Sequence, residues 1–278
     1  QSCWPAPPAM EPRRFEPGHC LAGRFDVVSF LGGGGAGEVY SAFDREQQDL
    51  VALKVLRGAW AGDAEAQEML RAELHVARLV THPNVCRLYE FYPAQPKAAS
   101  PPFLTMELLD GRTLQEVLAE SGPLAPAQAA GLVEQMLAGL EAAHTQGIVH
   151  RDLKAANVMV TQEGARVVLM DFGLARDLRP GPDLESTINA NALAGTLAYM
   201  APEQLRGERA TVASDLHALG VLLFEMLTGR RPFDGANDLE IAARRLSEEA
   251  PAPKRNGQPL DRAWARVILA CLDRAPAR

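Results

Sequence analysis

The sequence predicts an α+β chain in two parts: a small, antiparallel β-rich lobe with one helix, then a larger, mainly helical lobe. Three observations lead there. β-Branched and aromatic residues crowd the segments between 24 and 56, and glycines punctuate them. After "DGRTL" (110–114) the character changes to mostly helical spacing. The length of 278 residues suits one large or two small domains.

The elements follow in order. "RFDVVSFL" (24–31) reads as a strand, and "LGGGGAGEV" (31–39) then places five glycines in six positions. "EVYSAFD" (38–44) and "LVALKVL" (50–56) read as two further strands, so the glycines bend a hairpin within an antiparallel meander. Gly32-x-Gly34-x-x-Gly37 also fits a dinucleotide fingerprint, which requires a strand followed by a helix. Val39, Tyr40 and Phe43 make the downstream segment a strand, so that reading loses. Glycine is costly to order but permits φ > 0 and close approach, commonly to a phosphate; from these nine residues alone, a flexible linker or plain bend is an equal alternative.

Residues 63–80 show helical spacing behind Asp63, a cap candidate. "VCRLYEFY" (85–92) and "FLTMELL" (103–109) read as strands, separated by a Pro/Ala loop. "PAQAAGLVEQMLAGLEAAHTQG" (126–147) has Pro in its first turn and Gly at its end, as helices prefer. "TVASDLHALGVLLFEMLTG" (211–229) is apolar nearly all round and should be a buried central helix. "DLEIAARRLSEE" (238–249) and "DRAWARVILACLDRA" (261–275) supply two more. The expected division is a leader at 1–22, a first lobe at 23–107, a hinge at 107–111 and a second lobe at 112–278.

Composition narrows the function. Apolar residues make up 47% and charged residues 23%, ordinary for a globular protein. The net charge of −7 argues against a nucleic-acid binder, which would carry a basic face. No run approaches the ~18 apolar residues of a membrane span, and the opening 20 residues lack the apolar core of a signal peptide. Prolines and a missing initiator Met there suggest a flexible leader or the cut end of a longer chain. Cys3, Cys20, Cys86 and Cys271 are scattered without a CxxC pair, which points to reduced thiols in a cytosolic setting.

Chemistry concentrates in short strings that fall in order: the glycine loop, "VALK" (51–54), "HRDLKAAN" (150–157), "DFG" (171–173) and "APE" (201–203). Together they resemble the signature set of the eukaryotic-type (Hanks-type) protein kinases, over roughly residues 24–278. The resemblance implies a bilobal kinase fold and transfer of the γ-phosphoryl group of ATP. That chemistry needs phosphate charge neutralised, metal held against it, and an acceptor hydroxyl aimed in line. Gly32, Gly34, Gly35 and Gly37 would let backbone N–H groups approach the phosphates, and Lys54 would meet the α- and β-phosphates. Glu65, Glu68 and Glu73 compete to pair with Lys54; Glu73, nine residues before His82 of "HPNV", matches the family spacing.

In the catalytic string, Asp152 would orient the acceptor hydroxyl and take its proton, and Lys154 would steady the transferring phosphoryl group. Asn157 and Asp171 would hold Mg²⁺, or Mn²⁺, since such an ion needs few protein oxygens beside those of phosphate. His150 and Phe172 look structural. By the same analogy Val39, Ala52 and Met159 sandwich the adenine, Glu107 and Leu109 offer it backbone hydrogen bonds, and Met106 is the gatekeeper.

Lys154 and "GTLAYMAPE" (195–203) resemble the Ser/Thr class, with Thr196 bonding Asp152 and Lys154. Arg151 could neutralise a phosphate on the following loop, where Ser186 and Thr187 are the candidate acceptors. Asp215 should anchor the catalytic loop, and Glu203 should pair with Arg278. Ala156 stands where some basic-directed members carry an acid, which weakens a basic target consensus. The chain stops at Arg278, where the family usually continues through another helix, so a truncated piece is expected. The Ala/Arg-rich style looks bacterial. Expected partners are ATP and proteins presenting Ser or Thr, with no nucleic acid and no membrane segment in this chain, and a dimer for autophosphorylation. A cytoplasmic location is implied, with tethering through segments outside this chain. A pseudokinase scaffold and a small-molecule phosphotransferase are the alternatives; the first would lack Lys54, Asp152 or Asp171, and the second would lack "APE".

Overall fold

The computed structural model describes residues 14–34, 37–56, 68, 71, 74, 77–94, 100–161, 166–172 and 197–274. They group into two compact units, the first within 1–62 and 90–108, the second within 63–89 and 109–278.

The first unit is built on one antiparallel sheet. Its strands are β1 (Cys20–Leu21), β2 (Phe25–Gly34), β3 (Gly37–Asp44), β4 (Asp49–Leu56), β5 (Leu88–Tyr92) and β6 (Phe103–Met106), in the spatial order β1-β2-β3-β4-β6-β5. Alternation along the strands sorts the side chains onto two faces. Tyr40, Ala42, Leu53, Val55 and Phe103 turn to one face and join Phe25 and Val27 in the core. The rings of Tyr92 and Phe103 stack there at 4.6 Å, and Phe25 meets Tyr92 edge-on at 5.3 Å. The glycine segment is a strand–turn–strand hairpin, with Gly34 opposite Gly37.

Part of the expected leader belongs to this unit. Phe15 is buried against Tyr40, and β1 pairs with β2. The Tyr40 hydroxyl accepts from the backbone N–H groups of Arg14 and Phe15, each at 3.2 Å, and donates to the Glu38 carboxylate at 2.5 Å. A buried phenol and carboxylate need partners, and residues 14–15 supply them. Residues 14–22 are therefore a packed strap, not a free leader.

The second unit is mainly helical. It holds α1 (Leu114–Ser121), α2 (Pro126–Thr145), α3 (Pro202–Leu205), α4 (Val212–Thr228), α5 (Asp238–Ser247) and α6 (Arg262–Cys271). Small sheets join them: β7 (Gly111–Thr113), β8 (Val158–Thr161) and β9 (Val167–Leu169) form one, and β10 (Lys254–Arg255) with β11 (Gln258–Pro259) the other. Thr113 caps α1 reciprocally, accepting from the Glu116 N–H while the Glu116 carboxylate accepts from the Thr113 N–H at 2.7 Å. Gly229 ends α4 at φ 75°, donating to the Glu225 carbonyl at 2.8 Å. Helix α4 is buried on nearly every side, as its uniform apolarity requires.

The stretch 77–89 groups with this unit, although the sequence places it with the β-rich lobe, so the division falls within β5, after Tyr89. Ala77, Val80 and Val85 pack with Ala143 and Ile148, and Val85 bridges Leu169 in parallel. "VCRLYEFY" consequently begins its strand only at Leu88, because Val85 and Cys86 face β9. Glu68, Arg71, Leu74 and Ala77 are helical, within the helix the sequence indicates.

Candidate active site

The expected site residues divide between the two units. In the first, strand register lines them up. Val39 lies opposite Gly32 on one side and Lys54 on the other, and Ala52 lies opposite Met106. Val39, Ala52, Lys54 and Met106 thus share the sheet face turned away from the aromatic core. Ala52 and Met106 are buried, while Val39 and Lys54 are partly open. Glu107, beyond the last strand, is partly exposed.

Two glycines of the hairpin answer to different constraints. At Gly37, with φ 146°, an added Cβ would stand 2.0 Å from the Val55 carbonyl oxygen, so the protein's own backbone excludes every other residue. At Gly32 an added Cβ would meet nothing within 4 Å. Packing does not demand glycine there, and the open space fits a hairpin that lies against a ligand.

In the second unit, "HRDLKAAN" makes one tight loop. The Asp152 N–H donates to the His150 carbonyl at 2.9 Å, and the Asn157 N–H to the Lys154 carbonyl at 2.9 Å, closing a 3₁₀ turn at Ala155–Asn157. Asp152 Oδ2 sits 2.9 Å from Lys154 Nζ. Asn157 Nδ2 donates to the Asp152 carbonyl at 2.8 Å and to Asp152 Oδ2 at 3.1 Å. One carboxylate thus gathers Lys154 and Asn157, and with its N–H end engaged the Asn157 amide offers Oδ1 to a cation.

Arg151 holds φ 67°, a conformation unfavourable for a side chain of its size. Asp215, at the start of α4 and buried, keeps it there. Its two oxygens accept from the N–H groups of His150 at 2.7 Å and Arg151 at 2.9 Å, and His144 Nε2 lies 2.7 Å away. His150 is fully buried with its ring 4.4 Å from that of Phe172, and burial pushes its pKa down. It is a neutral packing residue and not a base.

Asp171 follows β9 at φ 55°. Strand β9 is bolted on both sides: the Met170 N–H donates to the Asn157 carbonyl and the Leu169 N–H to the Asn84 carbonyl, each at 2.9 Å. Asn84 Nδ2 also reaches the Val167 carbonyl at 2.7 Å. A carboxylate and an amide oxygen on adjacent, fixed backbone are the hard donors that a small divalent cation takes. Met159, opposite Thr113 and Val168, is half-buried, and so is Leu109.

Gly35, Glu65, Glu73, Ser186, Thr187, Thr196 and Arg278 lie outside the described residues. Glu203 accepts from the Ser214 hydroxyl at 2.5 Å. Sequence reasoning missed Asn84, Gln135, Gln204 and Arg245. Gln135 Oε1 accepts from the Val167 N–H at 2.9 Å, and Gln204 Nε2 donates to the Arg151 carbonyl at 3.0 Å. Only Arg245 left a signal, because it falls in the apolar stripe of Ile241, Ala242 and Leu246.

The fold and these loops define a class. The protein kinase domain family matches residues 25–276, and the chain belongs to that family. Relatives are the serine/threonine-protein kinase PrkC of Bacillus subtilis, 35% identical over 260 residues, which are 93% of this chain and 39% of that protein. The serine/threonine-protein kinase PknB of Mycobacterium leprae is 35% identical over 256 residues, 92% of this chain and 40% of that protein. PknB of Mycobacterium tuberculosis is 34% identical over 260 residues, 94% and 41%. The chain thus spans about two fifths of the length of the curated relatives it matches.

Proposed function

We propose that this chain is the catalytic domain of a serine/threonine protein kinase that moves the γ-phosphoryl group of ATP to protein hydroxyls, its own included. The observation that carries the reading is the Asp152–Lys154–Asn157 cluster on one loop pinned by Asp215. The Asp152 carboxylate orients the acceptor hydroxyl and takes its proton as the new O–P bond forms and the bond to the ADP oxygen breaks. The Lys154 ammonium stays beside the phosphoryl oxygens. Lys54 meets the α- and β-phosphates, and the face shared by Val39, Ala52 and Met106 takes the adenine. Asn157 and Asp171 hold the divalent ion, Mg²⁺ or Mn²⁺; when bound, it neutralises phosphate charge.

The names of the relatives and the retention of Lys154 favour Ser/Thr acceptors, and Ser186 and Thr187 are the first candidates for self-modification, with Arg151 as the phosphate's partner. Glu73 is the partner proposed for Lys54. The strap at 14–22 together with residues 23–278 forms the kinase domain, with 107–111 as its hinge. No described helix is long and apolar enough to cross a membrane; the domain works in the cytoplasm, where ATP is, and pairs transiently with a second copy to phosphorylate it. Intact mass after incubation with ATP and Mg²⁺ or Mn²⁺ tests the reading. Phosphate additions on the wild type and none on Asp152→Asn, with nucleotide still bound by both, is the expected result. Equal additions on both would remove Asp152 from its role.

A further inference from the structure

Arg245 on α5 is the largest fully buried side chain of the described protein, 1% exposed. Among the described residues no carboxylate pairs with it. Nη1 donates to the carbonyls of Leu197 at 2.9 Å and Met200 at 2.7 Å, Nη2 to that of Ala198 at 2.5 Å, while the buried Nε finds no partner. The nearby charge is also positive: burial first, then Arg231, pulls its pKa down to about 10. For stability alone this is a poor arrangement. A buried guanidinium is costly to desolvate, and an apolar side chain of similar volume often does as well or better.

The gain lies in what is held. All three acceptors belong to one short stretch, 197–200, which no ladder supports. A guanidinium fork fixes several carbonyls in a plane, which a hydrophobic contact cannot do. Leu197 packs on Ala242 of α5, and Gln204 ties the following helix to the Arg151 carbonyl. The stretch is thus clamped at one end to α5 and at the other to the catalytic loop. Tyr199 and Met200 line the same cavity as Arg151 and Asp152. Whatever carbonyl positions Arg245 sets, it sets for the wall facing the proposed base.

We propose that Arg245 is a positioning residue for the acceptor side of phosphoryl transfer, holding residues 197–200 in the shape against which the acceptor protein chain lies beside Asp152. This rests on the kinase reading above. It concerns protein recognition, not the nucleotide.

The test uses the Asp152→Asn chain as acceptor and compares wild type, Arg245→Met and Arg245→Lys as enzymes. In Arg245→Met the acceptor KM should rise at least about tenfold, roughly the worth of one charge-assisted hydrogen bond, with the KM for ATP changed less than about twofold. Arg245→Lys, which keeps the charge but reaches fewer carbonyls, should fall between. An acceptor KM unchanged in folded Arg245→Met, or both KM values rising together, overturns the proposal. So does failure of both variants to fold, which would give Arg245 to the fold as a whole. A wild type that transfers nothing overturns the kinase reading, and this inference with it; an active wild type with an indifferent Arg245 overturns the inference alone.

Discussion

The two units differ in what their buried charges chiefly hold. In the first, buried carboxylates meet side chains of the sheet as well as nearby amides. Arg24 forks onto Asp44 with two bonds of 2.7 Å, and the Glu38 carboxylate takes the Tyr40 phenol. In the second, buried charges meet backbone. Asp215 accepts from two loop amides, and Arg245 donates to three loop carbonyls. The β-rich unit already satisfies its peptides through sheet ladders, so side-chain pairs need only trim edges. The catalytic and 197–200 loops have no ladder, and a buried ion replaces it. In the helical unit, the buried charges of Asp215 and Arg245 mark where irregular backbone is held still.

Removing Asp215 should show this most strongly. Asp215→Ala leaves the N–H groups of His150 and Arg151 unpaired and is expected to cost about 3–5 kcal/mol in urea denaturation, with phosphotransfer lost. A cost no larger than that of an edge pair would erase the contrast. The next largest effect is on pH. Burial, and then the charge of Arg245, pulls the pKa of His217 down to about 3 from 6.5. The folded state therefore resists protonation that the unfolded chain accepts. Its contribution is complete above pH 6.5 and declines as pH falls toward 3, by about 1.4 kcal/mol per unit. Urea midpoints at pH 7 and pH 5 should diverge in the wild type and converge in His217→Gln.

Smaller losses are expected in the first unit. Arg24 is partly solvated, its side chain 20% exposed, so Arg24→Met should cost about 1 kcal/mol by thermal or urea melting. Arg45 and Asp26 pair at 2.7 Å on the open surface, and Arg45→Ala should leave the melting curve unchanged. A measurable loss there would mean that edge pairs carry more than solvent screening allows.

The contrast also separates what the sequence could reveal. The glycine hairpin, the meander and α4 were legible because local periodicity and glycine placement determine them. The catalytic string was legible because its groups sit within eight consecutive residues, and the anchoring role of Asp215 came with the family resemblance. Arg245 was not, although it interrupts an apolar stripe, because its acceptors lie more than 40 residues earlier. Asn84 and Gln135 converge on Val167 from two distant segments, which no periodicity encodes. The strap at 14–22 was hidden for a different reason: prolines and charge suggest a loose leader, whereas Phe15 follows a tertiary contact with Tyr40. Which unit 77–89 joins was equally invisible, since a helix pattern names a buried face but not its partner.

Asp215 links the catalytic loop to the most deeply buried of the described helices. The amides of His150 and Arg151 lie outside regular structure, yet they can exchange with solvent only when the start of α4 lets go. The loop therefore has no melting event of its own, and on heating the reaction geometry should persist up to the cooperative collapse of the helical unit and vanish with it.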